Sequence, residues 1–591
     1  MCRIAGIIDF QAPPSVEAIN RMTNAMQHGG PDDNGIYLDA HWPLAFGHRR
    51  LSLIDLSLLA HQPMMDDYQQ LIAIYNGEIY NFLEIRKELE QKKYAFKSTS
   101  DTEVVLHAYK EWGTACFQKF NGMFALAILD KANQKIVLAR DHAGIKPLYY
   151  SLQNNQLIFA SEIRAFKALK PDWEENKDWK KYFLMFGHLP EPITTLKDVQ
   201  PVEKGTFLEI SLPSLQTTKQ CFYTPHYNYA IYNEADAVEK LRDTLTKAVE
   251  RHLISDAPIG LFLSGGIDSS LLTLLAKPVV GNNLQTLSIV FDNDQFSEKK
   301  YQDIIIAKTG AKHRSYLVAE DEFKNALPDI LEAMDQPSCD GINAYFINKY
   351  AKESGLKAVL SGLGADELFG GYPSFTTTNL MQMMGRMPHF VFAAAKLFPD
   401  DRRKKINFLQ CKTALGSYLF NRGLFIPAQV AQLLDCSENE INQLLHSLVL
   451  PNYIDALHPL EKVSYFETDW YMQNQLLKDT DCMSMWHSVE VRVPFLDKDL
   501  MELAYAIAPE IRYNNKQKKH LLIKAFENEL PRTIWDRPKQ GFTFPFENWM
   551  KNVRLNIAAD DVKTSKLYRG LFNGNTHWSR YWTYTLTQQQ Q

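Results

Sequence analysis

Cys2 opens an apolar, strand-prone run, MCRIAGI, and a second chemistry-bearing segment, SGGIDSS at 264–270, lies between the apolar runs IGLFL and SLLTLLAK. Once Met1 is removed, the α-amino group of Cys2 titrates near neutral pH and can act as general base for its own thiol in attack on an amide. A glycine-rich loop between strand and helix offers backbone amides and the positive end of a helix dipole to an anion. The loop is not GxxxxGK[ST], so γ-phosphate transfer is not its natural chemistry, and pyrophosphate binding is. Asp268 adds a carboxylate beside it. One chain therefore carries candidates for two half-reactions.

A cysteine attacking an amide needs oxyanion donors, an anchor for the substrate's charged end and a shielded site. In GHRRLSLID (47–55), Arg50 offers a planar fork suited to a carboxylate; in YNGEIYN (75–81), Asn76 and Gly77 offer oxyanion donors and Glu78 an ammonium acceptor; in STSDTE (98–103), Asp101 offers a second acceptor. Each of these residues taken singly is also an ordinary turn or cap residue. Further along, SGLGADELFGGY (361–372) brings Asp366 and Glu367 to the end of another strand-like run, where carboxylates can share magnesium with phosphate oxygens. VEVRVPFLD (489–497) and KKHLLIKAF (518–526) add basic groups, and Lys519 suits neutralising a departing pyrophosphate. Lysines at that density also occur on solvated helix faces.

These residues need elements to hold them. At 591 residues the chain exceeds a single core, and two large domains are expected. The runs at 123–129, 135–141 and 156–161 predict packed sheets over 1–210; 211–234 lacks periodicity and is placed as a linker; 235–591 forms a second domain. There, Val238, Leu241, Leu245, Val249 and Leu253 make one helical stripe before IGLFL, and TLSIVF (286–291) and KAVLSG (357–362) repeat the strand–helix alternation of a parallel α/β sheet. The stretch 374–460 is helix-like and Met-rich, with MQMMGRM at 381–387, and receives no chemistry. A net charge of -5 excludes the basic excess that nucleic acid attracts, and HFVFAAAKLF (389–398) is too short to cross a bilayer, so a cytoplasmic protein acting on small molecules is expected. The seven cysteines lack CxxC or histidine companions, which indicates neither disulfides nor zinc.

In their shared order, Cys2, HGGPD (28–32), RLSLID, NGEIYN, SDTE and RDHAGIKPLYY (140–150) resemble the class II glutamine amidotransferases. The later motifs, over roughly 235–550, resemble the synthetase domain of glutamine-hydrolysing asparagine synthetases. The resemblance implies an α+β N-terminal nucleophile (Ntn) hydrolase sandwich (αββα), followed by an α/β parallel-sheet ATP pyrophosphatase (adenine nucleotide alpha hydrolase-like) domain. It further implies that Cys2 attacks glutamine, that Asn76 and Gly77 form the oxyanion hole, and that glutamine lies against Arg50, Leu51, Ser52, Leu53, Ile54, Asn76, Gly77, Glu78 and Asp101. ATP would lie against Leu263, Ser264, Gly265, Gly266, Asp268, Ser269, Ile289, Ser361 and Gly362, with Mg2+ on Asp268 and Asp366 and the acyl-adenylate step at Leu363 and Lys519. A carboxylate attacks the α-phosphorus, and ammonia moving inside the protein displaces AMP. The family often forms homodimers.

Four positions depart from the family pattern, which usually has a small residue at Arg3, arginine at Gly29, glutamate at Leu363 and arginine at Cys482. The segment RPKQGFTFPFENW (537–549) is nearer to relatives whose acceptor is not fixed. Three readings follow: an asparagine synthetase acting on aspartate; the same chemistry on another carboxylate, such as a uronic acid in polysaccharide or a natural-product acid; and a glutaminase or ligand sensor with an inactive synthetase half. Asp268, Asp366 and Lys519 rank the third last.

Overall fold

Near-continuous apolar runs in the first 210 residues form strands buried on both faces. In the strand Gly122–Asp130, Phe124, Leu126 and Ile128 pack outward against helices, while Ala125, Ala127 and Leu129 pack inward against a second sheet. The computed structural model describes residues 2–291, 298–384, 387–398, 400–411, 413–513, 517–537, 545, 549 and 577–588. Met1, most of the 537–549 segment, part of MQMMGRM and the last glutamines lie outside the described residues.

The first domain has two six-stranded antiparallel sheets. One runs Gln200–Pro201, Tyr149–Gln153, Gln156–Ala160, Cys2–Asp9, Leu44–Arg50, Asp33–Leu38. The other runs Thr217–Cys221, Thr206–Ser211, Lys135–Arg140, Gly122–Asp130, Leu71–Ile79, Met64–Met65. Helices Val16–Ala25 and Ile163–Leu169 cover the first sheet, and Phe82–Gln91 and Asp101–Trp112 cover the second, giving the αββα order. Strand parity sets what each residue of Cys2–Asp9 sees: Ile4 and Ile8 face the other sheet, and Ala5 and Ile7 face the helices.

The second domain holds five parallel strands in the spatial order Lys312–Leu317, Gln285–Val290, Ile259–Phe262, Ala358–Leu360, Glu490–Arg492. The chain order reverses between Ile259–Phe262 and Ala358–Leu360, so the loops leaving these two strands open a crevice at the sheet's carboxyl edge. The amphipathic helix Glu234–His252 enters the domain with Asn233 capping the amides of Ala235 and Asp236.

Two sequence expectations are corrected here. The stretch from 211 contains a strand, Thr217–Cys221, paired to Thr206–Ser211, so the irregular connection narrows to 222–233. Polar, largely exposed TTKQC carries no apolar alternation because it is an edge strand. VEVRVPFLD, read only for its basic groups, supplies the buried fifth strand. Among the described residues no helix is long and apolar enough to cross a membrane, and no cysteine forms a disulfide.

The RDHAGIKPLYY turn is held by one buried carboxylate. Asp141 accepts from the amides of Ala143 (3.0 Å), Ile145 (2.9 Å), Lys146 (2.9 Å) and Phe124 (3.1 Å). Asp141→Ala strands these donors and is expected to cost at least ~3 kcal/mol. Calorimetry should show the first domain's melting midpoint lowered by at least ~6 °C.

Candidate active sites

The first site lies where Cys2–Asp9 meets Leu71–Ile79. Cys2 is buried, and its N–H donates to Asn76 Oδ1 at 3.2 Å. That contact fixes the amide's orientation and leaves Asn76 Nδ2 buried with no partner among the described residues. Gly77 follows at φ +158°, and a Cβ there would stand 2.1 Å from the Met123 carbonyl oxygen, so only glycine fits. Its register partner Phe124 spends both backbone groups on Asp141. In an antiparallel pair this makes Gly77 and Phe124 a non-hydrogen-bonded pair, so the Gly77 N–H is not consumed by that strand.

Burial pushes the Cys2 thiol up, opposed by a backbone hydrogen bond from Leu51 and by Arg50. Cys2 faces Arg50 in register, and the Arg50 guanidinium donates to the carbonyls of Ser57 (3.0 Å), Ile54 (3.3 Å) and Asp55. Arg50 thus shapes the Leu51–Ser57 loop besides offering a charge. Ser52 N–H donates to Asp32, Leu53 accepts from Asp256 N–H of the second domain, and Leu51 and Leu53 are buried.

Glu78 and Asp101 are both buried. Among the described residues Glu78 Oε2 has no hydrogen-bond partner, and Oε1 stands 3.4 Å from Arg492 Nη2. Burial, then Glu490 and Asp101, hold the Glu78 carboxyl well above its ordinary range. Asp101, just after the Ser100 cap, accepts from Tyr75 OH (2.9 Å) and Ile79 N–H (3.1 Å), yet burial still raises it. Both carboxyls are poised to gain from an incoming cation.

The second site is the crevice of the parallel sheet, a cavity of about 1210 Å³. Leu263, Ser264, Gly266, Asp268, Ser269, Ile289, Ser361, Gly362, Leu363, Asp366 and Lys519 all line it. Gly265 turns the loop at φ +81° and gives its carbonyl to Arg537 (3.0 Å). Ser264 and Ser269 hydroxyls lie 3.0 Å apart and brace the loop before helix Ile267–Val280. Lys519 Nζ meets Asp268 Oδ2 and Asp366 Oδ1, each at 2.6 Å. Burial works against its charge, but the two carboxylates outweigh it and raise the ammonium's pKa. Lys519 also adopts φ +52°, a backbone state costly for a side-chain-bearing residue and held here by the site.

Several residues around this crevice were not singled out from sequence. A Cβ at Gly371 would sit 1.6 Å from Asp366 Oδ1, so glycine there is a condition of the triad. Arg537 stacks on Tyr301 (3.6 Å to the ring centroid) and pairs with Glu298 at 2.9 Å. Asp340 and Asp479 line the end nearer the first domain, both raised chiefly by burial. None has a local signature, because at least one neighbour of each comes from a distant segment: Lys519 for Gly371, Tyr301 and Glu298 for Arg537, and Asp340 and Asp479 for each other. Leu363 puts an apolar side chain on the wall, and the Cys482 thiol donates to the Asp479 carbonyl at 3.5 Å.

Comparison with known proteins agrees with this division. The asparagine synthase family model matches residues 240–578, and the glutamine amidotransferase domain model matches 1–223. Asparagine synthetase [glutamine-hydrolyzing] 1 of Bacillus subtilis is 34% identical over 96% of this chain and 90% of its own length. Asparagine synthetase [glutamine-hydrolyzing] 3 of the same organism is 30% identical over 94% and 90%. Amidase chry2 of Gibberella zeae is 27% identical over 92% and 87%. With the matches spanning both domains, the chain belongs to the asparagine synthase family and is a glutamine-hydrolysing, ATP-dependent ligase.

Proposed function

We propose that the protein transfers the amide nitrogen of glutamine to the β-carboxylate of aspartate, with ATP cleaved to AMP and pyrophosphate. The observation that carries the choice of acceptor is the Asp340–Asp479 pair on the cavity wall. Two like-charged carboxyls, Asp479 buried and Asp340 half-buried, gain from a cation between them, and the α-ammonium of an amino acid supplies one. The relatives named as asparagine synthetases support the same choice.

In the first half-reaction, the Cys2 thiol attacks the glutamine carboxamide and its proton passes through the residue's own amine to the leaving ammonia. Asn76 Nδ2, unpartnered because Oδ1 is held by the Cys2 N–H, donates to the oxyanion together with the Gly77 N–H. Glu78 and Asp101 receive the α-ammonium, and Arg50 the α-carboxylate. Water then releases glutamate from the thioester.

In the second half-reaction, the acceptor carboxylate attacks the α-phosphorus and pyrophosphate leaves. Ammonia adds to the acyl carbon and AMP departs with formation of the amide. Lys519 neutralises charge on the leaving pyrophosphate, and the loop of Ser264–Ser269 holds its oxygens. Asp268 and Asp366 present hard oxygens that already converge on one cation, the Lys519 ammonium, so their spacing suits Mg2+ once Lys519 turns to phosphate. When bound there with nucleotide, magnesium neutralises phosphate charge.

Leu363 favours a second reading, in which the acceptor is a different carboxylic acid such as a uronic acid. Pyrophosphate release with ATP, magnesium and glutamine separates them. Aspartate-dependent release with asparagine formed supports the first reading; release only with another acid supports the second. Failure of every acid to support release would leave a glutaminase with a silent synthetase half.

Cys2→Ala should abolish glutamine-dependent amide formation and leave ammonia-dependent formation intact, read as pyrophosphate with each nitrogen source. Asn76→Ala should lower the glutaminase kcat by ~10²- to 10³-fold with little change in KM. Lys519→Met and Gly371→Ala should both remove pyrophosphate release while glutamine hydrolysis persists, the second because its methyl displaces Asp366.

A further inference from the structure

Arg3 directly follows the proposed nucleophile but points to the opposite face of its strand, toward the second domain. It is wholly buried. Its Nε lies 2.5 Å from Glu162 Oε1 and its Nη2 2.9 Å from Asp481 Oδ2, so a single guanidinium ties a carboxylate of each domain. Both carboxylates line a small interior cavity of about 40 Å³, together with Asp335, Asp479 and Cys482. Asp479 also lines the 1210 Å³ crevice, so the small cavity adjoins that crevice, and Ser161 and Glu162 on its wall belong to the first domain. Lys146 (3.0 Å from Asp481 Oδ1), His28 (3.2 Å from Glu162 Oε1) and Arg164 (2.7 Å from Glu162 Oε2) complete the shell.

We propose that Arg3 is a positioning residue for nitrogen transfer, holding Glu162 and Asp481 together in a charge-compensated wall that ammonia crosses unprotonated. The inference rests on the reading that ammonia passes inside the protein. An unpaired, buried carboxylate holds ammonium strongly, and ammonium has no lone pair with which to attack an acyl carbon. The sequence also makes room for this arrangement: a Cβ at position 29 would lie 2.8 Å from Arg3 Cγ and 2.9 Å from its Nε, and residue 29 is glycine.

The test measures glutamate and pyrophosphate together, with aspartate or the uronic acid that replaces it, in wild type, Arg3→Met, Arg3→Lys and the double variant Arg3→Ala/Gly29→Arg. Wild type should yield about one glutamate per pyrophosphate, as full coupling requires. Arg3→Met should raise that ratio at least ~3-fold through uncompensated charge. Its glutaminase rate and its synthesis from added ammonia should remain. Arg3→Lys, which keeps the charge but reaches only one carboxylate, should give an intermediate ratio and serves if the methionine variant does not fold. The double variant places a guanidinium in the same space from residue 29 and should restore coupling. A coupled wild type with equally coupled Arg3 variants overturns the role of Arg3 alone, as does a ratio that rises only alongside lost ammonia-dependent synthesis. An uncoupled wild type overturns internal transfer and this role together.

Discussion

Arg492 is the charge around which the two domains are assembled. Its side chain is fully buried, donates to the carbonyls of His252 (2.8 Å) and Ile254 (2.6 Å), and pairs with Glu490 at 2.5 Å and Glu78 at 3.4 Å. Its own carbonyl accepts from Ser361 N–H at 2.9 Å. One residue therefore touches the proposed ammonium acceptor of the glutamine site through its side chain and a loop of the nucleotide crevice through its backbone. Of the side-chain contacts named, the pair with Glu78 crosses to the first domain, while Glu490, His252 and Ile254 belong to the second.

Given that fixed boundary, sheet register explains why each site is built where it is. Asn76 and Glu78, two residues apart, leave the same face of the strand and so reach one site, while Gly77 between them offers only its backbone. Asp141 contributes indirectly: by taking both backbone groups of Phe124, it frees the Gly77 N–H from the ladder. In the second domain, reversal of strand order opens the crevice, and two loops from adjacent parallel strands converge on it without any long excursion.

Features held in short contiguous runs were readable from sequence: Cys2, the NGE motif, SGGIDSS between strand and helix, and the apolar strands around them. The αββα and parallel α/β architectures follow from those runs and from the family resemblance. What escaped reading shares one property, that its meaning comes from distant segments. Glu490–Arg492 is only three residues long and looks like a basic motif until its neighbour Ala358–Leu360 buries it. Gly371 looks like any glycine after a helix, and only Asp366 and Lys519 packed against it show why a side chain is excluded. In the sequence Arg3 is only a departure from the family pattern, whereas strand parity sends it away from Cys2 and into an interdomain ion cluster.

The crevice carries both cationic groups and carboxylates on its wall, and their arrangement bears on how its ligands must lie. Lys519, held by Asp268 and Asp366, Arg537, paired with Glu298, and the amino end of helix Ile267–Val280 line the part assigned to phosphate. Asp340 and Asp479 also line the crevice, as does Glu367, its carboxyl raised to about 7 by burial and by neighbouring Asp366. A triphosphate laid against Asp340 and Asp479 would set its negative charge against carboxylates in a poorly screened cavity, a penalty of several kcal/mol for charges a few ångströms apart at an effective dielectric of ~20. The same arrangement turns an acceptor so that its reacting carboxylate points toward the phosphates and any cationic group points toward Asp340 and Asp479. Apolar Leu363 then borders the region where the two substrates meet, so the wall there contributes shape rather than charge.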